Sequence, residues 1–562
     1  MSTPAQQPAA PPQSGEYTHR QILTILSGLM MGMFLGALDQ TIVSTSIRTI
    51  ADDLNGLSVQ AWVTTAYLIT STITTPIYGK LGDLYGRKKL FMFAISVFIA
   101  GSALCSFATS MYMLAAFRAI QGIGAGGLFT LVLAIIGDIV SPRERARYTG
   151  YFMATFGTSS VLGPVVGGFF ASHAVILGLT GWRWVFLVNV PIGVAALFVV
   201  YRTLHVHHHR RDARIDWGGA VSLVVTLIPL LTIAEQGRLW GWTSGRAIVC
   251  YLMGAVGLGA FYAVERRMGD DALIPLRIFR LRPVAVGIAA SVITGMALFG
   301  GILVLPLYMQ IVHGASPMRS GFLMLPMVAG MMSASIVSGQ VISRTGRIRA
   351  FPIFGSALAA VAMLTLSRIT ADTALPVVMA LMLMLGYGLG NCMQPLLLIL
   401  QSAVPPRDIG VATASATFFR QIGGTIGVAF FLSVLFGQVG GHIDTALESE
   451  SRTASFQQAA QHPVTPLDHQ FAESLQGHGG GQFLGRVSDD SSFVQRLSPV
   501  LAHPFKVGFA EAMDTVFLFA GLIGLLAFVT LLLMPKVELR ATSASAAVRS
   551  EAAPTAPMTD QV

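Results

Sequence analysis

The stretch GKLGDLYGRKKLF occupies residues 79–91, between two long apolar runs. A related stretch, GQVISRTGRIRAF, follows another long apolar run at residues 339–351. Both are short, glycine-rich and basic, as expected for a tight connection between two helices. One such connection in each half of the chain is typical of a membrane transporter that is built from two similar halves.

The composition agrees with a polytopic membrane protein. Of 562 residues, 53% are hydrophobic and 11% are charged, whereas soluble domains carry about a quarter charged residues. The net charge of +9 does not indicate nucleic-acid binding, because the Lys and Arg lie in short connections rather than on one soluble face. The three cysteines lack a close CxxC or Cys/His partner, so neither a metal site nor a cofactor is predicted.

Fourteen apolar stretches are long enough to form membrane-spanning helices, which need about 20 residues each. They lie within residues 21–46, 60–79, 90–109, 112–139, 146–170, 184–201, 217–234, 247–264, 284–311, 320–342, 351–367, 375–400, 411–435 and 512–534. Lys and Arg are concentrated in every second connection, as after spans 2, 4 and 10. The positive-inside rule therefore predicts that both termini are cytoplasmic. The expected location is a bacterial plasma membrane.

An internal repeat extends beyond the two basic connections. QGIGAGG at 121–127 recurs as LGYGLGN at 385–391, and Pro-Arg-Glu at 142–144 recurs at the same spacing as Pro-Arg-Asp at 406–408. Two six-helix units thus run in the same direction, and the spacing leaves room for two extra helices between them. Such parallel repeats place a substrate cavity between the halves, near the middle of the membrane.

The predicted fold is therefore an all-α membrane protein with two six-helix halves and two inserted helices. Its regions are a disordered cytoplasmic tail (1–20), an N-terminal half (21–202), a linker with two extra helices (203–282), a C-terminal half (283–534) and a cytoplasmic tail (535–562). The polar stretch 437–510 is predicted to be an extracytoplasmic loop, either a mobile flap or a solvated insert. The run LHVHHHRRDAR at 204–214 is interpreted as a basic linker, with metal binding as the alternative.

Several motifs together resemble one family. ALDQTIVSTSI (37–47), GKLGDLYGRKK (79–89), RAIQGIGAG (118–126), GTSSVLGPVVGG (157–168) and WRWVFLVNVPIG (182–193) are similar to the ordered motif set of the fourteen-helix drug:proton antiporters of the major facilitator superfamily. The resemblance covers nearly the whole chain. It implies the major facilitator fold and proton-driven export, but it does not identify the substrate.

Asp39 is the first candidate for proton coupling. An ionisable side chain in an apolar helix is costly and is usually functional, although Asp39 could instead be a carboxylate at the membrane interface. Arg118 is its expected partner, and Gln121 lies one turn further along the same helix. The resemblance supports both assignments, because Asp39 and Arg118 match the family's proton-linked acid and its buried arginine.

Other motif residues are expected to act on conformation. The resemblance implies that Asp83 caps a helix end across the interface of the halves and that Arg87 pairs with Asp138, forming a conformational latch. Three glycines of this connection permit a tight turn and close helix contact: Gly79, Gly82 and Gly86. The antiporter motif of span 5 is expected to allow close packing and bending through Gly157, Gly163, Pro164, Gly167 and Gly168.

The residues together predict a proton-coupled exporter and not an enzyme. Gln121, Arg420 and Gln421 are possible cavity residues, with pairing across the halves as the alternative for Arg420. Asp39 offers a single counter-charge, so lipophilic monocations and neutral amphiphiles should be preferred over dications. The expected partners are a small amphipathic substrate, protons and the lipid bilayer, and the protein is expected to be a monomer. An exporter of an endogenous lipid or secondary metabolite is the alternative. A membrane enzyme or receptor is disfavoured, because motifs such as HExxH and GxSxG are missing.

Overall fold

A computed structural model describes residues 18–54, 60–204, 216–405, 408–476 and 491–539. The predicted tails lie largely outside these ranges, as do residues 205–214 of the histidine-rich run. The helices and strands are α1 (His19–Asp53), α2 (Ala61–Tyr85), α3 (Arg87–Ser106), α4 (Met111–Ile139), α5 (Pro142–Ser172), β1 (Val175–Ile176), β2 (Leu179–Thr180), α6 (Trp184–Leu187), α7 (Asn189–Thr203), α8 (Trp217–Trp240), α9 (Gly245–Met268), α10 (Arg282–Ile311), α11 (Pro317–Leu323), α12 (Leu325–Thr345), α13 (Ala350–Leu366), α14 (Leu375–Ala403), α15 (Ile409–Glu450), α16 (Ala454–Gln461), α17 (Pro466–Gln476) and α18 (Pro499–Leu532).

The molecule is a helical membrane protein. Within the described ranges, twelve helical segments are long and apolar enough to cross a membrane. Helices α2, with 25 residues, and α13, with 17 residues, occupy the positions of the other two predicted spans. The helical membrane fold is thus confirmed, and the count of fourteen spans stays a prediction.

The contacts between helices repeat along the chain. In the first part, α1 packs on α5 and α7, α2 packs on α4, and α3 packs on α4 and α7. The same pattern recurs when α10, α12, α13, α14, α15 and α18 replace α1, α2, α3, α4, α5 and α7. Two equivalent contacts, α2 with α15 and α5 with α12, join the two sets of helices.

The repeated glycines explain why the two sets pack alike. A Cβ atom on Gly122 of α4 would lie 2.1 Å from Thr70 Oγ1 on α2. The equivalent atom on Gly386 of α14 would lie 1.9 Å from the Met327 carbonyl oxygen on α12. Only glycine lets the helices approach this closely, so each glycine motif fixes the same helix pair in its own half.

The predicted long loop at 437–510 is largely wrong as a loop. Helix α15 continues to Glu450, and α18 already begins at Pro499. The physical reason is an apolar stripe that continues past the span at helical spacing, since Leu435, Val439 and Ile443 are all buried. This stripe packs on the start of α18, where a Cβ atom on Gly508 would lie 2.5 Å from the Ile443 side chain.

The connection between α15 and α18 is also anchored. Phe456, Phe471 and Phe493 are buried in the same apolar core as these helices. Asp468 accepts hydrogen bonds from the backbone N–H groups of Thr465 and Ser498, both at 2.9 Å. Burial opposes ionisation of Asp468, but the backbone donors outweigh it and lower its pKa. The described part of this connection is thus a folded segment rather than a solvated insert.

Candidate functional site

Asp39 and Arg118 form a fully enclosed ion pair. Arg118 Nη1 donates to Asp39 Oδ2 at 2.6 Å, and the two side chains are 2% and 0% exposed. The guanidinium carbon lies 4.0 Å from the centre of the Tyr67 ring, which places a cation–π contact behind the pair. The two charges therefore neutralise each other in a place without bulk water.

Neutral amides complete the shell of the Asp39 carboxylate. Gln121 Nε2 and Asn189 Nδ2 each donate to Asp39 Oδ1 at 2.8 Å. Both amides also donate to the hydroxyl of Ser102, and Gln121 Oε1 accepts from Arg118 Nη1 at 2.6 Å. Ionised Asp39 thus accepts three hydrogen bonds, two of which come from groups that carry no charge.

The local sequence explains how these groups meet. Ser110 caps the start of α4 by accepting from the Met113 N–H, so Arg118 lies two turns inside the helix and Gln121 one turn later. A Cβ atom on Gly101 of α3 would lie 2.6 Å from the Cα of Gln121. The missing side chain at this position brings α3 and α4 into backbone contact, and Ser102 thereby reaches the Gln121 amide.

The network lies within one half of the molecule. Its polar members come from α1, α3, α4 and α7, and Tyr67 comes from α2. Asp39 is 0% exposed and Arg118, taken as a whole residue, is 1% exposed, so neither charge lines a cavity between the halves in this conformation. The structure brings together the predicted residues Asp39, Arg118 and Gln121, and their role in proton coupling stays a prediction.

The sequence reasoning missed three members of this network. Asn189 lies in the WRWVFLVNVPIG motif, where a lone amide in an apolar stretch was an available signal. Tyr67 is buried among threonines of α2, and nothing in the sequence distinguishes Ser102 from other serines of apolar helices. All three are close to fully buried, so water does not compete for their contacts within the network.

The connection at 79–91 makes the contacts that the resemblance implied. Asp83 Oδ2 accepts from the backbone N–H of Val411 at 3.2 Å, so a carboxylate of α2 caps the first turn of α15. Arg87 contacts Asp83 Oδ1 at 2.8 Å and Asp138 Oδ2 at 2.9 Å. We call these contacts the hairpin latch. The end of the molecule at which α2 (ending at Tyr85) joins α3 (beginning at Arg87) is called the hairpin end.

Glycine makes the hairpin latch sterically feasible. A Cβ atom on Gly79 would lie 2.3 Å from the Ala414 Cβ, and one on Gly410 would lie 2.1 Å from Asp83 Oδ1. Gly82 faces Leu131, and Gly86 has a φ of 91°, which favours glycine. Helices α2 and α15 are therefore in backbone contact at the hairpin end.

A second polar contact joins the halves at this end and was not predicted. Arg145 of α5 donates to Gln401 Oε1 of α14 through Nη1. Its Nη2 donates to the carbonyl oxygens of Gly137 and Val140, at 2.8 and 3.0 Å. Gln401 in turn donates to Thr413 Oγ1 at 2.7 Å. The side chains of Arg145 and Gln401 are buried, so the hairpin end is closed in this conformation.

The antiporter motif faces α1 on one side and the second half, through α11 and α12, on the other. Gly163 and Gly167 face α1, where added Cβ atoms would lie 2.0 Å from Thr41 Oγ1 and 2.8 Å from the Ile42 carbonyl oxygen. Gly157 faces Val328 of α12, and Pro164 lies beside Gly321 of α11. The prediction that Gly168 allows close helix packing is wrong, because an added Cβ atom there meets nothing within 4 Å. Close packing therefore does not explain that glycine.

Arg420 and Gln421 lie on α15, where Gln421 contacts the first half and Arg420 packs within the second half. Gln421 Oε1 accepts from Thr75 Oγ1 of α2 at 3.4 Å. Arg420 lines a small cavity of about 10 Å³, together with Ser291 and Thr294 of α10 and apolar residues of α14. Across the ranges that the structure describes, no group of three His, Cys, Asp or Glu side chains is arranged to hold a metal ion.

Comparison with known proteins identifies the family. The family model of the Major Facilitator Superfamily matches residues 29–428, and this chain belongs to that superfamily. It is 34% identical over 417 residues to the multidrug transporter protein MdtP of Bacillus subtilis, covering 74% of this chain and 75% of that protein. It is 36% identical to multidrug resistance protein 3 of the same species, over 72% and 78% of the two chains. The Acurin A biosynthesis cluster MFS-type transporter of Aspergillus aculeatus is 33% identical, over 75% and 76%.

Solved structures share the fold at low sequence identity. The proton:xylose symporter XylE has a TM-score of 0.58 and 14% identity, covering 95% of this chain and 100% of that one. The human organic anion transporter MFSD10 has a TM-score of 0.54 and 14% identity, covering 91% and 99%. These likenesses support the major facilitator fold. With the family match, they indicate a multi-pass membrane transporter and not an enzyme.

Proposed function

We propose that this protein is a proton-coupled efflux pump that exports amphipathic or lipophilic compounds, often cationic, across a cell membrane by alternating access. The enclosed Asp39–Arg118 pair carries this proposal. An acid and a base that neutralise each other out of water form a site where one proton has a large effect. The names of the bacterial relatives, which are multidrug transporters, support the substrate class.

Protonation of Asp39 is the chemical step. In this conformation the carboxylate accepts hydrogen bonds from Arg118 Nη1, Gln121 Nε2 and Asn189 Nδ2. A proton on either Asp39 oxygen removes the negative charge that holds the guanidinium. Arg118 is then a buried cation without a counter-ion, which costs several kcal/mol, so α1 and α4 separate until it gains water. Loss of the proton restores the pair.

The hairpin latch is proposed to hold one end state of the cycle. Asp83 contacts α15 only where α2 and α15 touch, and Arg87 holds the Asp83 carboxylate in place from within the first half, where it also pairs with Asp138. With the predicted orientation the hairpin end is cytoplasmic, and the structure corresponds to a state that is closed on the cytoplasmic side. Proton uptake by Asp39 from outside would then precede release of the latch and entry of substrate from the cytoplasm.

Further parts of the proposal concern architecture. The chain has fourteen spans in a six, two and six arrangement, with both termini in the cytoplasm of a bacterial cell. Its domain boundaries are those predicted from the sequence, apart from the loop at 437–510, whose described part is largely helical, and it acts as a monomer. Arg420 and Gln421 line the path of the substrate between the halves. The contact of Gln421 with Thr75 of α2, which joins the halves, supports this assignment for Gln421.

A second candidate function is export of an endogenous lipid or secondary metabolite. The similarity to a transporter of a fungal biosynthesis cluster favours it. A screen in proteoliposomes with an imposed proton gradient separates the two. Gradient-driven export of synthetic lipophilic drugs supports the first function, and export confined to lipids or metabolites supports the second.

A further inference from the structure

Of the two helices inserted between the halves, α8 is attached to both halves and α9 packs on α8. Helix α8 packs against α2 of the first half and α15 of the second, the two helices that meet at the hairpin end. One continuous apolar cluster contains residues from all of these elements. Its buried members include Ile69 and Ile73 of α2, Leu223 and Leu227 of α8, Ile274 and Ile278 of the connection after α9, and Val411 and Ala416 of α15.

Two buried acids fix the connection that follows α9. Asp216 accepts from the Gly219 N–H at the start of α8, at 2.6 Å, and from the Leu273 N–H at 3.3 Å. Glu265 of α9 accepts from the Ile274 N–H at 3.0 Å. Asp216 is 3% exposed and Glu265 is 1% exposed. The chain from 269 to 280 is therefore held on α8 and α9 and cannot act as a slack linker.

The same connection binds charged groups of both halves. Lys80 of α2 donates to the Asp270 carbonyl oxygen at 3.1 Å. Arg277 contacts the Asp270 carboxylate at 2.7 Å and the Asp408 carboxylate at 3.0 Å. Asp408 precedes α15, and its side chain is 6% exposed. A chain of polar contacts thus runs from α2 through residues 270 and 277 to the start of α15.

Two acids, Asp83 of α2 and Asp408, have different contacts at the start of α15. Asp408 occupies the cap position, yet its side chain makes no capping hydrogen bond. Asp83 from the other half supplies that cap at the Val411 N–H. Asp408 is therefore oriented towards Arg277, and α15 is bound at its first turn by both α2 and the inserted unit.

We propose that the inserted helices and residues 269–280 form a brace that stabilises the closed hairpin end, with Arg277 as the positioning residue that ties the brace to α15. The proposal rests on alternating access as set out above and adds a role for the two inserted helices. In the opposite conformation α2 and α15 separate at this end, so Lys80 and Asp408 cannot both keep their contacts with one short connection. Opening must break one set of contacts.

The rival interpretation is that α8 and α9 only fill space in the membrane. It predicts no effect of Arg277 on conformation. The brace predicts a moderate one, because Arg277 is 31% exposed and partly exposed ion pairs stabilise weakly. We expect Arg277→Gln to raise the ratio of open to closed hairpin ends by about two- to fivefold.

The test measures distance across the hairpin end in the full chain in nanodiscs. Spin labels are placed at Tyr85 and Thr345, which are exposed equivalent positions of the two halves, after the three native cysteines are replaced by serine. Double electron–electron resonance then gives the populations of short and long distances. Arg280→Gln is the matched control, since Arg280 lies in the same connection and is exposed.

A larger long-distance population in Arg277→Gln than in Arg280→Gln supports the brace. Asp408→Asn should give a similar shift. The double variant should shift the population little more than either single variant, because both substitutions remove the same Arg277–Asp408 contact. Equal populations in Arg277→Gln and Arg280→Gln would overturn the proposal. The result is independent of proton coupling, which is measured separately as gradient-driven efflux, so failure of the brace and failure of the pump are distinguishable.

Discussion

Substitution of Asp83 by Asn should destabilise the closed hairpin end without touching the substrate path. The side chain keeps its size but loses the charge that faces the first turn of α15, where Asp83 Oδ2 lies 3.2 Å from the Val411 nitrogen. Arg87 keeps its second partner, Asp138, at 2.9 Å. The loss is therefore confined to the capping charge and one of two ion pairs.

The magnitude follows from the capping geometry. A carboxylate at a helix N-terminus stabilises by about 0.3 to 1 kcal/mol when exposed and by up to ~2 kcal/mol when partly buried. The Asp83 side chain is 13% exposed, so the upper part of this range applies. Since about 1.4 kcal/mol is a factor of ten, we expect the ratio of open to closed hairpin ends to rise by roughly 5- to 30-fold.

The assay compares turnover with binding. Initial rates of gradient-driven efflux are measured in proteoliposomes, and substrate affinity is measured for the detergent-solubilised protein. Asp83→Asn should lower the efflux rate several-fold more than it lowers affinity, because a shifted population impairs the cycle but not the binding residues. An equal loss of rate and affinity would contradict the latch and would place Asp83 at the substrate site.

Three further predictions follow from the geometry. Gly163→Ala should lower thermal stability by about 1 to 3 kcal/mol through overpacking against Thr41, whereas Gly168→Ala should be nearly neutral; similar melting temperatures for the two variants would refute the packing argument. In competition efflux assays lipophilic monocations should inhibit more strongly than matched dications, since Asp39 is already paired with Arg118 and each additional uncompensated charge costs several kcal/mol; stronger inhibition by dications would mean that an acid faces the cavity. Asp468→Asn should increase hydrogen exchange in the segment between α15 and α18, and unchanged exchange would contradict the anchoring role of Asp468. Because the pKa of Asp468 is lowered in the folded protein, its stabilisation of the wild-type segment is present above the ordinary pKa of an aspartate and is lost as pH falls through the lowered pKa.

The sequence predicted the helical repeat well because the same residue types recur at the same spacing in both halves. Glycines at 122 and 386 are needed wherever two helix backbones touch, so they mark the same helix pair in each half. Asp39 and Arg118 were also predictable, since charged residues stand out in apolar helices. The hairpin contacts of Asp83 and Arg87 were expected only through the resemblance to a known family.

Other features depend on long-range contacts that the chain does not display. Ser102 and Gly101 matter because α3 and α4 touch at one level, and no local pattern shows that level. The sequence of 437–510 predicts a loop because its polar residues conceal an apolar stripe at helical spacing. The contact between Arg277 and Asp408 joins residues 131 positions apart, and the packing of the connection after α9 on the start of α15 brings them together.

The most direct test of the central claim is uphill transport by Asp39→Asn. The variant keeps the volume of the side chain and an acceptor for Arg118 but cannot take up and release a proton. Insertion and folding are checked by yield and thermal unfolding, since Arg118 loses its counter-ion. In proteoliposomes with an imposed proton gradient, Asp39→Asn should show no net export against the substrate gradient while it still exchanges labelled for unlabelled substrate across the membrane. Uphill export by the folded variant at the wild-type rate would contradict proton coupling through Asp39.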